Sequence, residues 1–202
     1  MQKIFFLFLL LASMSSCSDT EKVTGQDERG LRVEYQKNKK TGVKEGAYNV
    51  FYLTGSKCEE AKYKNNVLDG TRTLFHTNGN KDVVETYKNG IFEGAFQSYF
   101  DNGKLEQEGQ YVNNEMVGVW KSYFETGTLK EEVSFAKNEE NGPFKEYFPN
   151  GKVAAEGSYV EGKEQGELKE YNEQGELTRI ANCEMGRCHT SWSNDPSKFS
   201  NK

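Results

Sequence analysis

The chain has 202 residues, with 26 Lys and Arg against 31 Asp and Glu, a net charge of −5, and 20 glycines against three prolines. That balance excludes the clustered basic face that nucleic-acid binding requires. Two histidines, and no Ser-His-Asp or Cys-His arrangement, leave little for acid–base or nucleophilic chemistry, so the expectation is a non-enzyme with no cofactor.

The first segment reads as a targeting signal. Lys3 gives a positive start and Ile4 to Ala12 form an apolar run far shorter than the roughly 20 residues of a membrane span. Ser13, Met14, Ser15 and Ser16 then lead to Cys17. Small residues before a cysteine, directly after such a run, resemble the lipobox of bacterial lipoproteins, although Met14 stands where leucine is usual. The resemblance implies removal of residues 1–16, lipidation of Cys17 and a membrane anchor. Ser18, rather than an aspartate, implies sorting to the outer membrane of a bacterial envelope. Loss of the segment, with its single lysine and no acid, takes the net charge from −5 to −6. Residues 17–29 read as the lipidated cysteine and a polar tether.

From there a 24-residue period takes over. Gly46, Gly70, Gly94, Gly118, Gly142 and Gly166 keep it without one insertion, as do Gly55, Gly79, Gly103, Gly127, Gly151 and Gly175. Tyr48, Phe96, Trp120, Phe144 and Leu168 follow the first glycine by two residues, with Arg72 in the same slot of the second unit. Tyr63, Tyr87, Tyr111, Phe135, Tyr159 and Cys183 follow it by seventeen. Short aromatic runs around Asn78-Gly79, Asn102-Gly103 and Asn150-Gly151 predict β-hairpins, with the dipeptide in a type I′ turn. Pairing outward from Asn102-Gly103 sets Phe100 opposite Leu105, Phe96 opposite Gly109 and Gly94 opposite Tyr111. The fourth unit likewise gives Phe124 with Leu129, Trp120 with Val133 and Gly118 with Phe135. Rings then lie against bare glycine backbone on one side of the sheet. Second turns at Asn65-Asn66, Asn89-Gly90, Asn113-Asn114, Lys137-Asn138 and Glu161-Gly162 also suit positive φ.

The fold class is therefore all-β: an elongated single-layer antiparallel meander of six 24-residue hairpins, about 12 strands. Residues 30–45 predict a half-repeat capping the first edge, residues 46–192 the array, and residues 193–202 a frayed tail.

The unit resembles the MORN (membrane occupation and recognition nexus) repeat, in its bacterial variant with Y-x-x-x-G-x-L-x-x-E, as in Tyr99 to Glu108 and Tyr123 to Glu132. The resemblance covers roughly residues 46–188. The second unit departs, with Arg72, His76 and Val84. Proteins of this variant are described as antitoxin-like, which implies, as one alternative, an inhibitor of an exported toxin.

Four groups of residues are candidates for function. Cys183 and Cys188 flank the last turn as direct cross-strand partners, which predicts a disulfide; a metal site with His189 and free thiols are the alternatives. Cys58 is left as a buried small residue, and His76, in a slot held by Tyr52, Phe100, Phe124 and Phe148, as packing. Glu108, Glu132 and Glu156 recur beside Lys121, Lys145 and Lys169, the pattern of a cross-strand charge ladder rather than a catalytic pair. Tyr99, Tyr123, Tyr147 and Tyr171 form the row that could meet a partner. The leading expectation is an anchored protein-interaction module. Peptidoglycan binding, or association with itself as a structural envelope protein, is the next.

Overall fold

The computed structural model describes residues 19–195. The signal segment, Cys17 and residues 196–202 of the tail lie outside the described residues. Strands alone make up the regular structure among them. They are β1 (Thr20–Gln26), β2 (Arg32–Asn38), β3 (Lys44–Phe51), β4 (Lys57–Lys64), β5 (Val67–Leu68), β6 (Gly70–Phe75), β7 (Lys81–Lys88), β8 (Ile91–Tyr99) and β9 (Leu105–Val112). They continue as β10 (Glu115–Tyr123), β11 (Leu129–Ala136), β12 (Glu139–Tyr147), β13 (Val153–Val160), β14 (Lys163–Glu164), β15 (Gly166–Tyr171), β16 (Leu177–Glu184) and β17 (Arg187–Ser193). Each pairs antiparallel with its neighbour in the chain, except that β5 and β6 both pair with β4, and β14 and β15 both with β13. Those two pairs are each one interrupted strand. The six repeats from β3 to β16 thus supply the twelve positions expected, in one open antiparallel meander.

Three strands lie beyond that count. The supposed tether holds β1, which pairs with β2 from Thr20↔Asn38 to Gln26↔Arg32. Its polar sequence gains backbone hydrogen bonds and ion pairs from Lys22 to Glu34 and from Lys37 to Glu21. The capping segment is β2 together with the start of β3. At the far end, Ser193 belongs to β17 rather than to the tail; its hydroxyl donates to the Thr178 carbonyl at 3.1 Å.

Within a hairpin the register is the expected one at Gly94↔Tyr111, Phe96↔Gly109, Trp120↔Val133 and Gly118↔Phe135. Near the turn it is not. Tyr99, not Phe100, faces Leu105, and Tyr123, not Phe124, faces Leu129. The reason is the turn. Gly103 has φ +81°, but Asn102 is not among the residues with positive φ. The Gly103 N–H donates to the Phe100 carbonyl (2.8 Å) and the Phe100 N–H to the Lys104 carbonyl (2.9 Å), a type I turn followed by a glycine bulge. Asparagine recurs before the glycine for its side chain. Asn102 Oδ1 accepts the Lys104 N–H, and Asn102 Nδ2 reaches the Glu125 carbonyl of the next unit. Asn78 and Asn150 make the same pair of bonds, the cross-unit one at 2.8 and 2.9 Å.

The turns between units are the ones with two left-handed residues, such as Asn113 (φ 52°) and Asn114 (φ 66°). They are stitched backward. The Asn114 N–H donates to the Phe92 carbonyl, the Phe92 N–H to Asn114 Oδ1, and the Asn113 N–H to the Glu93 carboxylate at 2.8 Å. At the first glycine of each unit the ladder to the preceding strand slips by two residues, as between Val117↔Gln110 and Lys121↔Glu108. Gly118, at φ +71°, supplies the backbone that this bulge needs.

The sheet has one packed side. Trp120, Val133, Phe144, Leu168, Ala181 and Cys183 are buried there, with Phe96, Tyr111, Phe135 and Tyr159 against them. Ring centroids lie 5.4 Å apart for Phe96–Trp120 and 4.6 Å for Phe144–Tyr159. Neighbouring rows of aromatics therefore cover one another, and Trp120 is only 2% exposed on a single-layer sheet. A second cluster, Val33, Val50 and Cys58, holds the N-terminal end, so Cys58 is a buried small residue as expected. Between the two clusters Arg72 takes an aromatic slot and pairs with Glu59 (2.8 Å) and Glu85 (3.1 Å).

Candidate functional site

The side opposite the packed aromatics carries the other candidate residues, because successive residues of a strand point to opposite sides. Cross-strand pairing joins Gln97↔Glu108, Glu108↔Lys121, Lys121↔Glu132, Glu132↔Lys145, Lys145↔Glu156 and Glu156↔Lys169 into one transverse row. Its charges alternate from Glu108 to Lys169. Lys121 pairs with Glu132 at 3.1 Å and Lys145 with Glu156 at 3.3 Å.

Tyr123, Tyr147 and Tyr171 each sit two residues beyond a lysine and reach back across the strand gap. Tyr123 Oη donates to Glu108 (2.8 Å), Tyr147 Oη to Glu132 (2.9 Å) and Tyr171 Oη to Glu156 (2.8 Å). The structure thus joins six of the seven expected face residues into three repeating Tyr–Glu units. Tyr99 lies on the same side but donates to Gln97 Oε1 instead, because Val84 occupies the glutamate slot of the unit before it. All four rings are half-buried.

The electrostatics follow from these bonds. Hydrogen bonds from Lys121 and Tyr147 hold the Glu132 carboxyl below its usual range; those from Tyr171 and Lys145 do the same for Glu156. Burial, then the bond to Glu108, pushes Tyr123 up to about 12, and burial also raises Tyr99, Tyr147 and Tyr171. Carboxylates held ionised beside phenols held protonated make a fixed pattern of charge and donors. General acid–base chemistry needs groups poised near the working pH instead.

His76 binds the next unit. Its Nε2 lies 2.9 Å from the Tyr99 carbonyl and its Nδ1 2.9 Å from Asp101; Tyr52, one unit earlier, donates to the Phe75 carbonyl in the same way. Cys183 and Cys188 are cross-strand partners joined by a disulfide, with Cα atoms 3.9 Å apart. His189 pairs with Asn182 and points to the other side, so it is no neighbour of the sulfurs. Glu164, which the spacing of Cys183, Cys188 and His189 did not bring to notice, is: its Oε2 lies 3.0 Å from Cys188 Sγ.

Fold and face together define an open, single-layer β-repeat protein with one self-packed side and one laddered side. Within it, the MORN repeat variant matches four tandem stretches, residues 68–89, 92–113, 116–137 and 140–161. The first of these includes the unit with Arg72 and His76, and the units on either side of the four fold into the same hairpin. No curated protein matches the chain significantly.

Proposed function

We propose that the chain is a lipid-anchored, extracytoplasmic scaffold of a bacterial envelope that presents the Tyr/Glu/Lys face to a protein partner. MORN repeats are in general modules of protein or membrane interaction. The observation that carries the choice of a protein is the ladder itself. Glu108, Glu132 and Glu156 alternate with Lys121, Lys145 and Lys169, so the face has no excess positive charge with which to hold an anionic lipid surface. Its tyrosines are already fixed by hydrogen bonds. A partner therefore meets large amphipathic side chains whose ordering cost has been met in advance.

The anchor rests on Cys17 and the segment before it. Cys17→Ala is expected to release the protein from membranes, and unchanged retention would contradict the anchor. For the face, crosslinking on intact envelopes is expected to capture one stoichiometric protein. The Lys121→Glu, Lys145→Glu variant, folded by circular dichroism, should lose it. Recovery of peptidoglycan alone, or of the chain itself, would assign a structural role. An exported toxin as the partner would assign an immunity role.

A further inference from the structure

The two sulfurs at the C-terminal end of the sheet have a neighbour that the repeat pattern does not supply. On the packed side, one slot of each unit runs Leu68, Phe92, Met116, Glu140, Glu164 and Cys188. Three apolar residues are thus followed by two acids and a cysteine. Glu164 is half-buried there, and among the described residues no lysine, arginine or histidine lies within ion-pair distance of it. Its carboxylate oxygen and the two sulfurs all lie within 4.8 Å of one another.

The chemistry of the 3.0 Å contact between Glu164 Oε2 and Cys188 Sγ depends on the redox state. Neither sulfur of a disulfide carries a proton, so the disulfide offers the carboxylate no donor. A half-buried carboxylate without a partner costs free energy. Reduction changes this, because a Cys188 thiol at that distance donates to Glu164. A cation held between the three atoms would satisfy all of them at once.

We propose that the reduced hairpin is a soft-metal site, in which Cys183, Cys188 and Glu164 bind a zinc-class divalent cation, and that the disulfide is its closed, metal-free state. A dithiol reductant opens it: two electrons from the dithiol break the S–S bond, leaving two protein thiols and an oxidised external disulfide. The cation then takes both sulfurs as thiolates, and their two protons go to solvent. Two thiolates and a carboxylate suit zinc, with water in the fourth position. Zn–S bonds of about 2.3 Å and Zn–O of about 2.0 Å place tetrahedral ligands roughly 3.5–3.8 Å apart, so the 3.0 Å contact of Glu164 with Cys188 opens by about half an ångström, while the two sulfurs, no longer bonded after reduction, turn apart to about 3.8 Å. The consequence is a change of clip. The disulfide ties β16 to β17, whereas the cation also ties in β14 through Glu164.

The test is titration of the full chain with Co²⁺, once oxidised and once after reduction under anaerobic conditions, followed by displacement with Zn²⁺. Reduced wild type is expected to show thiolate-to-cobalt charge-transfer absorption at one equivalent, and oxidised wild type none. Glu164→Gln should weaken binding at least about tenfold, in keeping with the loss of a ligand carboxylate. Circular dichroism on every sample separates loss of the site from loss of the fold. No charge-transfer band in folded, reduced wild type would overturn the proposal. So would a Glu164→Gln protein that binds as tightly as wild type. A band that survives Cys183→Ser with Cys188→Ser belongs to a cysteine outside the hairpin and overturns it as well.

Discussion

Gly109 is the position where the packing can be tested most sharply. A methyl group added there would lie 2.2 Å from Trp120 Cδ2 and Cε2 and 2.7 Å from Cε3. Carbon atoms in contact settle at about 3.5–4.0 Å, so the indole would have to withdraw by more than about 1 Å. It has little room to do so, with Phe96, Tyr111 and Phe135 around it and 2% of its surface exposed. Overpacking of this kind costs about 1–3 kcal/mol. For a domain of this size that lowers Tm by roughly 2–4 °C per kcal/mol, so by about 4–8 °C for Gly109→Ala at the middle of that range, about 2 kcal/mol. The assay is thermal melting followed by tryptophan fluorescence and by circular dichroism, in a double-mutant cycle with Trp120→Leu. Trp120→Leu alone should destabilise, and in its background Gly109→Ala should cost at least about 1 kcal/mol less. Gly118→Ala is the contrast. Nothing lies within 4 Å of its added carbon, but φ is +71°, so its cost of about 1–2 kcal/mol is backbone strain and should be indifferent to Trp120. Equal melting of Gly109→Ala and wild type, or a cycle without coupling, would refute the account of the packed side.

Two further predictions concern charge. Arg72→Met leaves Glu59 and Glu85, on the strands either side of it, without their cation, and should destabilise by about 2–4 kcal/mol at neutral pH. Urea denaturation should show Glu85→Leu recovering part of that loss in the Arg72→Met background; a neutral Arg72→Met would sink the argument. The second is a pH profile of stability. Glu132 and Glu156 have lowered folded-state pKa values, so their contribution is present above the unfolded carboxylate range and is lost as pH falls through the folded values. Tyr123 and Tyr159 lie at about 12 when folded, so theirs is present below the unfolded tyrosine value of about 10 and lost as pH rises toward 12. Tyrosinate absorbance should accordingly show Tyr123 and Tyr159 still titrating near pH 12.

The architecture was legible because it rests on two counts that sequence carries directly. The 24-residue glycine spacing sets the units, and alternation along a strand sets which residues share a side. Phe96↔Gly109 and Trp120↔Val133 follow once pairing is counted outward from the turn glycines of those units. What they do not carry is turn geometry, since Asn-Gly serves a type I′ turn and a type I turn with a glycine bulge equally well. The two differ by one residue of register, enough to move Leu105 from Phe100 to Tyr99. Strand β1 was missed for another reason. Thr20 to Gln26 has no apolar alternation, and its pairing is set by the free edge of β2 rather than by anything in its own residues. The Tyr–Glu row was foreseen as a row, but the bonds within it depend on a diagonal reach between strands that spacing does not report. Arg72 and Glu85 were, by contrast, readable as a swapped pair. They occupy an aromatic slot and a slot of small residues that face each other in the expected register, where Phe96 and Gly109 stand one unit later.

The slot facing the central rings reads Gly109, Val133, Gly157 in three successive units. Trp120 leans onto Gly109 and Phe144 onto Gly157, whose added carbon would lie 2.8 Å from Phe144 Cε1. Val133, paired with both rings, fills the gap that their opposite tilts leave open. The backbone therefore repeats every 24 residues while the side chains of this slot do not, since over all six units it reads Ala61, Glu85, Gly109, Val133, Gly157 and Ala181. Excision of one unit would keep the strands in phase and put the side chains out of it, since Gly109 and Gly157 would then flank a single ring with no valine between. The units are thus interchangeable in their strands but not in the residues that pack between them.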